Sequence, residues 1–160
     1  MTTTIEGQLL ANEFRFAIVA ARFNSLFGEQ LIAGAVDALV RHGADDDQIT
    51  LVRCPGSFEL PQVAARVQQQ LDVDAIICLG VLIRGATPHF DYIAAEATKG
   101  IGALGMDGEV PVAFGVITCD TLEQAVERSG SKAGNKGAEA ALAALEMVNL
   151  YAAIDEHGNG

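Results

Sequence analysis

Short apolar runs alternate with longer amphipathic segments along most of this chain, and that alternation constrains its fold more than any other feature. The runs "RFAIVAA" (15–21), "ITLVRC" (Ile49–Cys54), "AIICLGVLI" (Ala75–Ile83) and "VPVAFGVIT" (110–118) have the length and continuous apolarity of strands buried on both faces. Between them, "FGEQLIAGAVDALVRHG" places Leu31, Ala35, Ala38 and Leu39 at helical spacing, with Gly43 as its stop. "LPQVAARVQQQL" is a second helix that tolerates Pro61 in its first turn, and a third is predicted from Pro88 to about Ala103. Thr121 and Gln124 form a capping box ahead of "LEQAVERSG". "KGAEAALAALEMVNLYAAI" is rich in strong helix formers, with Leu142, Leu145 and Val148 along one face.

Strands alternating with helices require a parallel sheet whose crossovers are right-handed. The predicted class is therefore α/β: a three-layer, flavodoxin-like fold with a four-stranded parallel sheet and helices on both faces. The 160 residues are expected to form one domain, with 1–13 as an N-terminal extension and 155–160 as a frayed polar tail. "MTTTIEGQLL" lacks the basic start and apolar run of a signal peptide, and no uninterrupted apolar run reaches the length of a membrane span. Cytoplasmic location is the resulting expectation.

Charge narrows the partners. Ten Lys and Arg face twenty-one Asp and Glu, a formal net charge of −11 that repels nucleic acid and anionic membranes. A phosphorylated substrate would be repelled too, unless cations gather locally. Cys54, Cys78 and Cys119 sit in or at the end of apolar runs, an odd count without paired spacing. They are expected to be reduced and packed, forming neither disulfide nor zinc site.

In this fold class ligands bind beyond the carboxyl ends of the strands. There the sequence places Arg22-Phe23-Asn24, Pro55-Gly56-Ser57-Phe58-Glu59, and Arg84-Gly85-Ala86-Thr87-Pro88-His89. Phe23 and Phe58 offer stacking surfaces or caps to the core. Thr87 and Pro88 match an N-cap and first helical position, and the unsatisfied amides of a helix start favour an anion. The same field disfavours an imidazolium, so His89 is suited to accept a proton and return it. "ERSGSKAGNKG" gathers Arg128, Lys132 and Lys136 within nine residues, with glycines at 130, 134 and 137. No Walker loop is present, and "GIGALG" matches a dinucleotide fingerprint only in letters, since it ends a helical pattern. "ADDDQ" lacks the ligand spacing of a calcium loop, and no other metal spacing appears.

From "ARFN" through "PGSFELP", "RGATPHFDY" and "GVIT" to "ERSGSKAGNKGAEAALAALEM", the chain closely resembles the lumazine synthases of riboflavin biosynthesis. The resemblance implies condensation of 5-amino-6-(D-ribitylamino)uracil with 3,4-dihydroxy-2-butanone 4-phosphate, with no metal or organic cofactor. It implies that Phe23 stacks on the pyrimidine and that Asn24, Ser57, Phe58 and Glu59 line the ribityl and ring pocket. Backbone groups of Val81, Leu82 and Ile83 would hold the uracil edge. Ala86 and Thr87 would hold phosphate with Arg128, and His89 would transfer protons. Phe114, Arg128 and Lys136 would come from a neighbouring subunit of a homo-pentamer. The compact "GSKAGNKG" connection resembles that of members forming 60-subunit icosahedral shells. A flavin- or lumazine-binding module without chemistry, or a shell-forming paralogue, is the alternative left open.

Overall fold

The structure is a computed structural model that describes residues 1–131 and 134–160, so Lys132 lies outside the described residues. Four parallel strands form the central sheet: β1 (Phe16–Ala21), β2 (Ile49–Cys54), β3 (Ala75–Ile83) and β4 (Val112–Cys119), in the order β2-β1-β3-β4. The helices are α1 (Ser25–Arg41), α2 (Leu60–Gln70), α3 (His89–Asp107), α4 (Leu122–Arg128) and α5 (Lys136–Asn159). Short 3-10 turns at Asp46–Gln48 and Ser57–Glu59 precede β2 and α2. The architecture is the expected three-layer α/β arrangement.

Period two along β1 sorts its residues between two cores. Phe16, Ile18 and Ala20 face α1, α4 and α5, where they meet Leu31, Ala35, Leu39, Ala125, Ala141 and Leu145. Ala17, Val19 and Ala21 face α2 and α3, against Leu60, Ala64, Val67 and Ile101. Both central strands are covered on each side, which is why their sequences are apolar without alternation. β2 lies at an edge and leaves Thr50, Leu51 and Arg53 exposed.

Close backbone approach sets α5 against α1. A Cβ on Gly137 would collide with the Leu31 carbonyl oxygen, and one on Gly34 with the Asn135 side chain. Asn135 ties the two helices together. Its Oδ1 accepts from the Ala138 amide at 3.0 Å, capping α5, while its Nδ2 donates to the Gln30 carbonyl at 2.9 Å. Length and a mean hydropathy of 1.2 would suit α5 to a membrane span. Its buried residues Ala140, Ala141, Ala144, Leu145 and Val148 nonetheless pack into the core beside the sheet, as a core helix does.

Several boundaries differ from expectation for local reasons. Thr87 is not the N-cap of α3: the helix starts at His89, Pro88 occupies the cap position with ψ 2°, and among the described residues no side chain caps it. α3 runs past the predicted end to Asp107, so "GIGALG" lies within the helix rather than ending it. A Cβ at Gly100 would lie 2.6 Å from Pro61, so glycine allows α3 to approach α2 closely. β4 begins at Val112, after Pro111, which has no N–H to pair but whose carbonyl accepts from the Ile76 amide at 2.9 Å. The glycine-rich connection contains a small antiparallel pair, Ser129–Ser131 (β5) with Gly134–Asn135 (β6), with Gly130 and Gly134 at φ 130° and 80°. The polar C-terminus is helical to Asn159 rather than frayed. Thr121 caps α4 as expected, its Oγ1 accepting from the Gln124 amide at 3.2 Å. The Gln124 side chain reaches one residue further back than a capping box requires, accepting from the Asp120 amide at 2.7 Å.

Burial pushes the Cys54 thiol up to about 11 and the Cys78 thiol up to about 12, and it raises Cys119 as well. At pH 8 all three are therefore protonated and poorly nucleophilic. Ellman's reagent is expected to label the folded chain slowly and to find three thiols per chain after unfolding. Rapid labelling of the folded state would contradict this packing. A Cβ at Gly137 would meet backbone atoms of Leu31, which cannot swing aside, so the overpacking cost should lie at the upper end of about 1–3 kcal/mol. Less the roughly 1 kcal/mol that alanine gains in helix propensity, Gly137→Ala should lower stability in urea by about 2 kcal/mol. An unchanged midpoint would show that α5 does not press on α1 there.

Candidate active site

The carboxyl ends of β1, β2 and β3 do not finish level. β1 pairs with β3 only as far as Ala20 with Leu79, whereas β4 pairs with β3 through Ile83 with Cys119. From Gly80 to Ile83 the β1-facing edge of β3 therefore has no strand beside it. A cavity of about 400 Å³ opens there, lined by Phe23 and Asn24, by Gly56 to Glu59, by Val81 to Ile83, and by residues of the β3–α3 connection.

Each wall has a local cause. After β1, the amides of Arg22 and Phe23 donate to the carbonyls of Cys54 and Pro55 at 2.8 and 2.9 Å, so the first two loops are knitted together. Asn24 then takes a left-handed conformation, φ 62° and ψ 45°, which asparagine tolerates better than most residues. Its Nδ2 donates to the Val81 carbonyl at 2.9 Å, bridging the gap where the β1–β3 ladder has ended. Phe23 is thereby turned outward, 60% exposed, with its ring against Gly56. A Cβ at Gly56 would sit 2.6 Å from that ring.

The second wall is the 3-10 turn at Ser57–Glu59. Ser57 is 4% exposed and sits over Gly80, where a Cβ would come within 2.5 Å of its Oγ. Phe58 is 52% exposed, a second ring without a place in the core. Glu59 folds back so that its Oε1 accepts from the Gly56 amide at 3.0 Å. The Cys54 thiol lies below this loop with its Sγ 3.6 Å from the Gly56 carbonyl. Burial raises its pKa first, the Glu59 charge adds to that, and Arg22 works against it.

The third wall is the start of α3. Thr87, His89, Phe90 and Ile93 all line the cavity. Residues 84–89 are exposed, and Ala86 lies in the same connection without lining the cavity. Among the described residues, the amides of Ala86, Thr87, His89 and Phe90 have no backbone partner, so the helix start offers donors despite lacking a cap. Arg84, at the other end of this connection, is not aimed at the cavity. Its Nε donates to Asp120 at 2.8 Å and its Nη1 to Asp91 at 3.0 Å, and its guanidinium carbon lies 4.5 Å from the Phe90 ring centroid. Both carboxylates raise its pKa, the Asp120 hydrogen bond most.

Eleven of the fourteen residues named from sequence thus meet at one end of the sheet: ten line the cavity and Ala86 sits in its rim. The other three lie elsewhere in this chain. Arg128, at the end of α4, donates from Nη1 to the Thr118 carbonyl at 3.3 Å, and Lys136 opens α5. Phe114 faces a separate apolar groove with Met106, Pro111, Met147 and Tyr151. Among the described residues, Glu59 and His89 are the titratable side chains lining the cavity. Sequence reasoning missed Phe90 and Ile93 as lining residues. Their signal was helical spacing: Ile93 stands four residues after His89 and three after Phe90, the separations that bring side chains together on a helix.

Such a cavity suits a flat, polar ring. Phe23 and Phe58 give stacking faces, the open edge of β3 gives backbone donors and acceptors, and Glu59 gives a carboxylate. Next to them His89 and the free amides can move a proton and hold an anion.

Comparison with known proteins gives the family. The 6,7-dimethyl-8-ribityllumazine synthase family matches residues 13–152. The 6,7-dimethyl-8-ribityllumazine synthase of Prosthecochloris aestuarii is 60% identical over 148 residues, covering 92% of this chain and 96% of the relative. Those of Chlorobium limicola and Chlorobaculum tepidum are each 58% identical over 147 residues, covering 92% of this chain and 95% of the relative. The chain belongs to the 6,7-dimethyl-8-ribityllumazine synthase family.

Proposed function

We propose that this chain catalyses formation of 6,7-dimethyl-8-ribityllumazine from 5-amino-6-(D-ribitylamino)uracil and 3,4-dihydroxy-2-butanone 4-phosphate. The observation that carries the reading is the cavity at the end of β3, where Phe23, Phe58, Glu59 and His89 converge on an unpaired strand edge. The pyrimidine stacks on Phe23 with its ring edge on the backbone of Val81, Leu82 and Ile83. Ser57, Phe58, Glu59 and Asn24 surround the ring and the ribityl chain. Because Asn24 already donates to Val81, it also serves the site by fixing that strand edge.

The chemistry balances without an oxidant or reductant. The 5-amino group adds to the ketone, and loss of one water gives an imine. Proton removal from C3 and departure of phosphate from C4 leave an enol, which takes up a proton at C4 to become a methyl ketone. The ribitylamino nitrogen adds to that carbonyl and closes the second ring, with loss of another water. His89 moves protons in these steps, and the open amides at Ala86 and Thr87 receive the phosphate. Holding both partners in register supplies much of the rate, and proton transfer and anion stabilisation supply the rest.

In this reading the cations that offset the −11 charge come from an adjacent subunit, as Arg128 and Lys136, together with Phe114. Two observations support an assembly. Arg128 and Lys136 are not among the residues lining this chain's own cavity, and the groove holding Phe114 leaves Met106 and Tyr151 exposed beside edge strand β4. A ring of five is the proposed unit, twelve rings the proposed shell, and the cytoplasm the proposed compartment.

His89→Ala is expected to lower kcat by about 10²–10⁴-fold in a phosphate-release assay, the span of general acid–base catalysis. A rate near that of the unaltered chain would leave positioning as the whole of the catalysis. Arg128→Ala should raise KM for the butanone phosphate by about 10–100-fold, the loss of a charge-assisted contact, with the pyrimidine little affected. Reassembling a mixture of His89→Ala and Arg128→Ala chains should then restore part of the activity. No recovery would place both residues in one subunit's site.

A further inference from the structure

We propose that Arg84 is the positioning residue that fixes the β3–α3 connection and, through it, the imidazole of His89. The proposal rests on the proton-transfer role assigned to His89 above. The reason lies in what this connection lacks. Within one chain residues 84–89 are all exposed, so packing inside the chain does not hold them. Gly85 is in open space, with nothing within 4 Å of where a Cβ would be. Pro88 has no N–H to give, and no side chain caps the helix among the described residues. A connection of this kind should sample many conformations, and His89 is the first residue beyond it.

One side chain replaces the missing restraints. The Arg84 amide is anchored on the Cys119 carbonyl at 2.9 Å, which fixes the residue at the sheet. From that point its guanidinium reaches across the connection to Asp91, two residues past His89 in the first turn of α3. Its Nε holds Asp120 at the end of β4, and its plane lies against Phe90, the residue next to His89. Asp120 is itself held, since its amide donates to Gln124 in α4. The beginning of the connection, its end and the neighbouring strand are thus joined at one planar cation, whose fork suits two separate carboxylates.

Exposed ion pairs contribute little to global stability, so Arg84 variants should fold and the effect should appear locally. Arg84→Lys keeps the charge but offers a point donor in place of a fork. Two measurements on the intact assembly test the clamp. Hydrogen exchange of the peptide spanning 85–92 should become about tenfold faster or more in Arg84→Ala and Arg84→Lys, as a local opening predicts. In steady-state assays Arg84→Ala should lower kcat by about 10–100-fold, the cost of a misplaced catalytic group, with KM for the pyrimidine within about twofold. In a His89→Ala background the same change should cost less than about threefold, because the group being positioned is gone. Unchanged exchange, unchanged kcat, or an equal cost in both backgrounds overturns the clamp while leaving the proposed reaction intact. If the unaltered chain makes no lumazine, the proposed reaction fails and the catalytic role of Arg84 falls with it.

Discussion

Four residues of β3, Gly80 to Ile83, extend beyond the last pair that β1 supplies, and the rest of the site depends on that overrun. A sheet edge left unpaired near the core is costly unless its polar groups find partners. Here the Asn24 side-chain amide donates to the Val81 carbonyl, and Asn24 reaches it from a left-handed backbone. That turn in the chain is also what faces Phe23 outward. Gly80 and Gly56 clear the space in which Ser57 and the Phe23 ring sit. The stacking ring, the polar strand edge and the carboxylate loop are therefore consequences of one mismatch in strand length.

Electrostatics places the second constraint. The proposed substrate is an anion and the chain is acidic, and among the described residues its own cavity is lined by Glu59 and His89 as titratable groups. Backbone amides at the start of α3 are one neutral source of donors, needing no cation in the same chain. Arg84 is spent elsewhere, on two carboxylates, so the cation nearest the connection in sequence is a fastener. Desolvation keeps Cys54 protonated although it lies beneath the cavity loop, so the site has no competing thiolate nucleophile there.

Much of the fold was legible because buried parallel strands are written as continuous apolar runs. β2 and β3 begin and end where those runs do. The errors fall where local signals were ambiguous. Thr87-Pro88 is a good helix-start pair by composition, yet Pro88 sits outside the helix and Thr87 caps nothing among the described residues. Glycines near the end of α3 looked like a stop, whereas Gly100 serves contact with Pro61. In the site, the loop residues Phe23, Ser57, Phe58, Glu59 and His89 were readable because loops after strands converge in this architecture. Arg84 was readable only as a cation. Its partners Asp91 and Asp120 are 7 and 36 residues away, and no sequence spacing relates the second of them to it.

The most direct test supplies both substrates to the assembled protein and follows inorganic phosphate together with the lumazine chromophore. The account predicts one phosphate released for each lumazine formed, with no release when the pyrimidine is left out. Tight capture of the pyrimidine without phosphate release would contradict it, leaving a binding protein that keeps the cavity and lacks the chemistry.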